Sequence, residues 1–167
     1  MCSSNSGASA SLSLAGTSGS VAYVGSGEGA AMTANTLNLA TAGAASGGHA
    51  FSIARGEGIV DLSISSTIAD GSANAQSLVK TGNGTLLLSG SNTYHGGTTI
   101  AEGVVSVSAD SNLGAGGITF DGGTLQVTGT AYSSTAKNIL WDVGGGSLDI
   151  VDPNGMFTIS QDLGSGG

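Results

Sequence analysis

The chain has 167 residues, of which 3 are basic and 11 are acidic, so its formal net charge is −8 and only 8% of its residues are charged. Three basic side chains cannot neutralise a row of phosphates, which excludes nucleic-acid binding, and the same balance disfavours an anionic membrane surface. No apolar stretch approaches the roughly 18 residues of a membrane-spanning helix, so we predict no direct membrane insertion. The single cysteine, Cys2, excludes an internal disulfide and a cysteine-based zinc site.

The N-terminal residues form a Ser-rich segment of their own. Residues 1–9 contain no aliphatic residue larger than alanine after Met1, and we predict a leader or disordered N-terminus there. They also lack a basic segment followed by an apolar core, so no signal peptide is expected in them. Residues 10–167 are predicted to form a single unit.

A five-residue pattern then returns along the chain: a small residue, a polar or β-branched residue, an aliphatic, a mostly polar residue and another aliphatic. Its clearest copy is Gly123-Thr124-Leu125-Gln126-Val127, and the spacing between copies ranges from 19 to 26 residues. Each copy predicts a short strand with one apolar face, which cannot be buried alone but can be buried by stacking on its neighbours. The seven copies begin at Ala10, Asn35, Gly58, Gly84, Gly103, Gly123 and Gly146.

Two sets of strands follow from this pattern. The copies themselves are expected to point these aliphatic pairs inward: Leu12/Leu14, Leu37/Leu39, Val60/Leu62, Leu86/Leu88, Val105/Val107, Leu125/Val127 and Leu148/Ile150. A second set of short strands lies between the copies, at 21–24, 51–53, 78–80, 98–100, 118–120, 139–141 and 157–159. Glycine pairs such as Gly96-Gly97 suit the tight corners between strands. We therefore predict an all-β fold, a right-handed parallel β-helix of about seven rungs.

Two other folds fit the pattern less well. An amphipathic helix needs apolar residues at i, i+3, i+4 and i+7, and no window sustains that spacing. An antiparallel sandwich has short strands and glycine turns, but it does not explain why one pattern returns in the same phase.

The segment 78–127 carries a resemblance to a known family. It contains Lys80-Thr81-Gly82-Asn83-Gly84-Thr85-Leu86, then Ser89-Gly90-Ser91-Asn92-Thr93-Tyr94 and Gly96-Gly97-Thr98-Thr99-Ile100, and later Gly122-Gly123-Thr124-Leu125. These elements closely resemble the autotransporter-associated β-strand repeat of passenger domains in type V secretion. The flanking segments 1–77 and 128–167 share only the strand pattern.

The resemblance implies a β-helix displayed on the cell surface of a Gram-negative bacterium or secreted from it. Passengers of this kind are commonly adhesins, so we expect binding to a host extracellular-matrix or cell-surface protein, or self-association. The repeat itself is linked to passenger export and folding, and a structural stalk without its own ligand is therefore the alternative. A glycan-active β-helix enzyme is the third interpretation.

Few residues suit catalysis or metal binding. His49 and His95 each lie in a Gly-rich segment with no Ser/His/Asp or His/carboxylate motif around them, and they are interpreted as exposed loop histidines. The run from Gly144 to Asp149 partly matches a calcium-binding β-roll repeat, but it has no tandem copy. We predict no catalytic, cofactor-binding or metal-binding residue, and no enzyme.

A candidate interaction surface comes from apolar residues at outward positions. Ile59, Leu87 and Val104 are predicted to lie on three consecutive rungs and to form an apolar stripe, suited either to self-association or to packing under a loop. Trp141 is the fourth candidate, and a register step of one residue would move it between core and surface. Tyr94 is expected to pack at a corner.

Overall fold

The computed structural model describes residues 11–13, 19–24 and 29–161. They form seventeen short strands and one turn of 3-10 helix, at Asp110–Leu113. In chain order the strands are β1 (Ser11–Ser13), β2 (Ser20–Tyr23), β3 (Ala30–Met32), β4 (Thr36–Asn38), β5 (Gly47–Ile53), β6 (Leu62–Ile64), β7 (Thr67–Ala69), β8 (Gln76–Thr81), β9 (Thr85–Leu88), β10 (Thr98–Ile100), β11 (Val104–Val107), β12 (Ile118–Phe120), β13 (Thr124–Val127), β14 (Ser134–Thr135), β15 (Ile139–Trp141), β16 (Ser147–Ile150) and β17 (Thr158–Ile159).

Every strand pair among the described residues is parallel, and the strands form four sheets. Sheet one has six strands in the order β2-β5-β8-β10-β12-β15, and sheet two has six in the order β3-β6-β9-β11-β13-β16. Sheet three is β1-β4-β7 and sheet four is β14-β17. Along the chain, strands of sheet one alternate with strands of sheet two, so each strand pairs with a strand of the preceding rung. This is the arrangement of stacked rungs. The predicted architecture, an all-β chain of parallel stacked strands in the manner of a β-helix, is confirmed.

The second predicted set of strands corresponds closely to sheet one. β10, β12 and β15 have the predicted bounds, and β2, β5 and β8 contain or overlap the predicted segments. The last segment, 157–159, is different, because β17 pairs with β14 in sheet four. The Cβ of an L-residue alternates from face to face along a strand, which is why a period of two located these strands so well.

The five-residue copies divide between two sheets, which the sequence did not predict. The last four copies supply β9, β11, β13 and β16 of sheet two, with Leu125 in register with Val105 and Leu148. The copy at 35–39 instead supplies β4 of sheet three, where Leu37 pairs with Leu12 and Ile68. Leu14 lies outside the described residues, as does the predicted leader at 1–9. The same inward aliphatic pattern suits any face of the solenoid, so it does not distinguish the faces.

The predicted inward pair of the copy at 58–62 is wrong by two residues. Leu62 pairs with Leu86 and Ile64 pairs with Leu88, so the inward pair is Leu62/Ile64 rather than Val60/Leu62. The shift follows from Asp61, whose buried carboxylate accepts hydrogen bonds from the amides of Gly56 at 2.6 Å and Thr85 at 2.7 Å. Because this carboxylate closes the preceding loop, the strand begins only at residue 62.

The N-terminal rungs are also longer than predicted. Ser20 pairs with Ala50 and Ala30 pairs with Leu62, offsets of 30 and 32 residues, whereas Thr98 pairs with Ile118 at an offset of 20. The extra residues form the loops 40–46, 54–61 and 70–75. The entropic cost of bringing the ends of a loop together grows only slowly with its length. Insertions of this size are therefore compatible with the stacked core.

Candidate functional site

The apolar stripe predicted from Ile59, Leu87 and Val104 is not continuous. Ile59 is 89% exposed and lies in the loop before β6. Leu87 pairs with Ser63 and Ser106, and Val104 pairs with Thr85 and Thr124. Leu87 and Val104 therefore occupy different rows of the outer face of sheet two, and polar residues flank each of them.

Trp141 faces the core, at the end of the column that runs through sheet one. In this column Phe51, Lys80, Ile100, Phe120 and Trp141 are in register. The Trp141 ring stacks on Phe120 with centroids 4.4 Å apart, yet its exposed fraction is 44% because β15 is the last strand of the sheet. Its exposure therefore belongs to the end of the solenoid and not to a side face.

Lys80 is the unexpected member of this column, because it is fully buried between two apolar residues. Its ammonium donates to the carbonyl oxygens of Thr81 at 2.9 Å, Gly82 at 2.6 Å and Glu102 at 3.2 Å. The aliphatic stem completes the core while the charged end reaches the corner of the rung. Sequence reasoning missed this role, although the strand pattern of 78–80 already placed Lys80 on the same face as Leu78.

Burial lowers the pKa of Lys80 to about 8. The neighbouring carboxylates of Glu102 and Asp61 act in the opposite direction, but their effect is smaller. Since the ordinary lysine value is 10.5, the unfolded chain binds more protons than the folded chain between these two pH values. The free energy of unfolding is therefore expected to rise as pH increases from about 8 to 10.

Above pH 10 the trend should reverse, because burial raises the pKa of both Tyr94 and Tyr132 in the folded chain. Urea unfolding at a series of pH values, followed by circular dichroism, measures the profile. A Lys80→Met variant should lose the rise between pH 8 and 10 and keep the decline above it. An identical rise in the variant would show that Lys80 is not its source.

Two buried asparagines form an internal ladder at another corner. Asn92 accepts from the amide of Ile68 at 2.8 Å and donates to the carbonyl of Asn112 at 2.5 Å. Asn112 accepts from the amides of Ser108 and Ala109 and donates to the carbonyl of Gly90 at 2.9 Å. Their separation of 20 residues equals the local rung length, which is the sequence signal that identifies such a pair. The ladder satisfies backbone groups that the corner leaves without strand partners.

Tyr94 packs beside this corner, as predicted, and is fully buried. Its hydroxyl lies 2.5 Å from Oγ1 of Thr98, which also donates to the carbonyl of Leu113. The Tyr94 ring leaves no space at the next rung, where a Cβ on Gly114 would lie 2.7 Å from it. The residue therefore has a packing role.

The two histidines differ in their surroundings. His49 is buried, with Nδ1 3.2 Å from the carbonyl of Gly19 and Nε2 2.9 Å from Oε1 of Gln76, so its interpretation as an exposed loop residue is wrong. His95 is exposed, and its Nδ1 lies 2.6 Å from Oδ2 of Asp70. Hydrogen bonds from His95 and from the Gln76 amide hold the pKa of Asp70 below its ordinary value, although partial burial acts to raise it.

The acidic residues near the C-terminal end do not converge on one point. Asp149 accepts from Nε2 of Gln126 at 2.9 Å, Asp142 accepts from the amide of Val143, and Asp152 accepts from the amide of Asn154. In the part of the chain that the structure describes, no group of three His, Cys, Asp or Glu residues has the arrangement of a metal site. Among the same residues no helix is long and apolar enough to cross a membrane.

All three basic residues have polar partners within the chain. Arg55 lies 3.6 Å from Asp61 and Lys137 lies 3.4 Å from Asp110, while Lys80 is bound by carbonyls. Asp110 also accepts from the hydroxyls of Tyr132 and Thr135, at 3.0 and 2.7 Å. Each described basic side chain therefore has a polar partner, and of the three only Arg55 is as much as half exposed.

The described strands therefore define a protein of parallel, stacked strands in the manner of a β-helix. Residues 78–107 match a family model described as the passenger-associated-transport-repeat. This match confirms the predicted autotransporter passenger repeat over most of 78–127, and the next rung, with β12 and β13, continues the same register. A repeat of this class implies a secreted or surface-exposed protein of Gram-negative bacteria. Comparison of the chain with curated proteins and with solved structures gave no match.

Proposed function

We propose that this passenger segment is an adhesin that binds a host extracellular-matrix or cell-surface protein through the side faces of its solenoid. One observation carries the proposal: each of the three basic residues has a polar partner within the chain, while the carboxylates of Asp121 and Asp142 have no basic partner among the described ion pairs. Asp121 and Asp142 follow the register partners Phe120 and Trp141, so they lie on adjacent rungs of sheet one. A partner with a basic patch is the natural complement of such a face.

The outer face of sheet one offers contact area next to these carboxylates. Its central row consists of Ala50, Val79, Thr99, Thr119 and Leu140, in register on successive strands. This row is uncharged, and the exposed side chain of Leu140 adds an apolar contact at its last position. Leu87 and Val104, on the neighbouring sheet two, remain part of the proposed interaction surface.

Binding is testable with the purified 167-residue chain and a panel of immobilised matrix proteins and cultured cells. We expect saturable binding to a basic component that weakens as salt is added, because screening acts on exposed charges. The double variant Asp121→Asn/Asp142→Asn should lower affinity about tenfold, the effect of about 1.4 kcal/mol. Asparagine at position 121 keeps a side-chain oxygen that can accept the hydrogen bond that the Gly144 amide donates to Asp121.

Two controls separate the charge effect from other causes. Asp152→Asn removes one charge outside the two large sheets and should leave binding unchanged. Leu87→Lys tests whether the outer face of sheet two takes part. Two results together would contradict electrostatic recognition through Asp121 and Asp142. The double variant would bind as tightly as the native chain, and the native chain would bind as tightly in high salt as in low salt.

The second candidate is a structural stalk that assists folding and export of a larger passenger. The match of residues 78–107 to a transport-associated repeat supports this alternative. A folded chain that binds no component of the panel would favour the stalk over the adhesin. We propose no catalytic activity, since His95 and Asp70 have no nucleophile paired with them in the described hydrogen bonds.

A further inference from the structure

The buried histidine of sheet one has an oxygen on each side of its ring. His49 lies on β5, between β2 and β8, and is fully buried. Its Nδ1 lies 3.2 Å from the carbonyl oxygen of Gly19, the residue before β2. Its Nε2 lies 2.9 Å from Oε1 of Gln76, the first residue of β8. The ring therefore connects the rungs on both sides of its own strand.

The orientation of the Gln76 amide is fixed by the partners of its nitrogen. Nε2 of Gln76 donates to the carbonyl oxygens of Ala45 at 2.9 Å and Asn74 at 3.0 Å. It also lies 3.1 Å from Oγ of Ser72, whose own hydroxyl donates to the carbonyl of Asn74. A reversed amide would place Oε1 against these acceptors with no proton between them. The atom that faces His49 is therefore the carbonyl oxygen, which only accepts.

Two acceptors around one ring make its hydrogen bonds depend on its protonation. A neutral imidazole carries a single N–H, so it can donate to Gln76 or to Gly19 but not to both. The shorter contact is the one to Gln76, which assigns the proton of the neutral ring to Nε2. The lone pair of Nδ1 then faces the Gly19 carbonyl oxygen with no proton between them. A second proton on His49 supplies the missing donor and completes the bond to Gly19.

The charged groups around the ring include a carboxylate on the side of Gln76. Among the described residues, the titratable groups on the neighbouring elements are Tyr23 on β2, Lys80 on β8, and Asp70 with His95 at the corner before β8. Asp70 accepts from the Gln76 amide at 2.7 Å, and its other oxygen lies 2.6 Å from Nδ1 of His95. The Lys80 ammonium is bound by carbonyls at the opposite end of β8. A negative charge thus lies beside the residue that accepts from the ring, which favours a proton there, while burial opposes it.

We propose that His49 is an acid-dependent link between β2 and β5: it takes up a proton in weak acid and then holds Gly19, so that β2 opens less often than at higher pH. Histidine is the side chain whose charge ordinarily changes between about pH 5 and pH 8. The protonated ring makes one hydrogen bond more than the neutral ring, and this bond must break when β2 separates from β5. The link lies in the interior, so it is independent of any ligand on the side faces.

Nitrogen NMR of the histidine rings in the 167-residue chain tests the protonation directly. The chain has 2 histidines, so the His95→Gln variant assigns the signals of His49. At about pH 8 we expect one N–H on the His49 ring, at Nε2, and at about pH 5 we expect a second one, at Nδ1. A ring whose number of N–H groups stays the same across this range, whether one or two, would overturn the proposal.

Hydrogen exchange of the β2 amides, corrected for the intrinsic effect of pH on exchange, tests the effect on the rung. Protection should rise about tenfold from pH 8 to pH 5, as expected for one hydrogen bond from a charged donor. His49→Gln cannot gain a proton and should lose this rise, whereas the matched control His95→Gln should keep it. The comparison is between two pH values within one variant, so a general loss of stability does not imitate the result. A rise that persists in His49→Gln would show that another group is responsible and would overturn the proposal.

Discussion

Replacing Gly103 with alanine is expected to cost about 3–5 kcal/mol of unfolding free energy, from a left-handed backbone and severe overpacking together. Gly103 has a φ of +63°, and a Cβ there would lie 2.5 Å from the carbonyl oxygens of both Gly82 and Gly84. The same Cβ would approach Nζ of Lys80 to 2.9 Å. The corner of one rung rests directly on the backbone of the preceding rung, so neither side can move away.

Gly129 provides the matched control for this prediction. Its φ of +70° is similar, but an added Cβ would meet nothing within 4 Å. Gly129→Ala should therefore cost only about 1–2 kcal/mol, the backbone contribution alone. Urea unfolding followed by circular dichroism compares the two variants. Equal losses would show that rung-to-rung contact at Gly103 contributes nothing beyond its backbone conformation.

Replacing Lys80 with methionine is expected to cost about 2–4 kcal/mol at neutral pH, even though methionine fills a similar volume. The change removes the donor that satisfies the carbonyls of Thr81, Gly82 and Glu102, all close to the corner that Gly103 also packs on. Part of the loss is offset because the variant no longer buries a charge.

Val79→Met is the control for the Lys80 substitution. Val79 lies on the same strand, β8, but faces outward and is half-buried. A surface substitution of this kind is usually within about 0.5 kcal/mol of neutral. If both variants unfold at the same urea concentration, the carbonyl-bound ammonium is not a source of stability. If Lys80→Met is more stable than the native chain, desolvation of the charge outweighs its hydrogen bonds.

Lys80 and Gly103 lie at one corner inside the family-like segment. Lys80, Gly82, Gly84 and Gly103 meet at one corner, where an ammonium and three close backbone approaches restrict the residue types that fit. The family model matches residues 78–107, which include this corner.

The sequence by itself determined the architecture of this protein and the position of most strands. The period of two, the regular return of aliphatic pairs and the glycine corners fixed parallel stacked strands, because each of these is a local property of the chain. The strands β10, β12 and β15 were located to the residue. The composition likewise limited the charged groups available for any site.

Only the tertiary structure decided which copies share a sheet, where the register shifts and which surfaces remain open. The hydrogen bond of the Lys80 ammonium to the Glu102 carbonyl and the two-residue shift at Asp61 depend on contacts with neighbouring rungs, 22 and 24 residues away. Trp141 faces the core yet is exposed because its strand ends the sheet, a fact about neighbours rather than about local pattern. Contacts between rungs join residues far apart in the chain, and no periodicity within one strand specifies them.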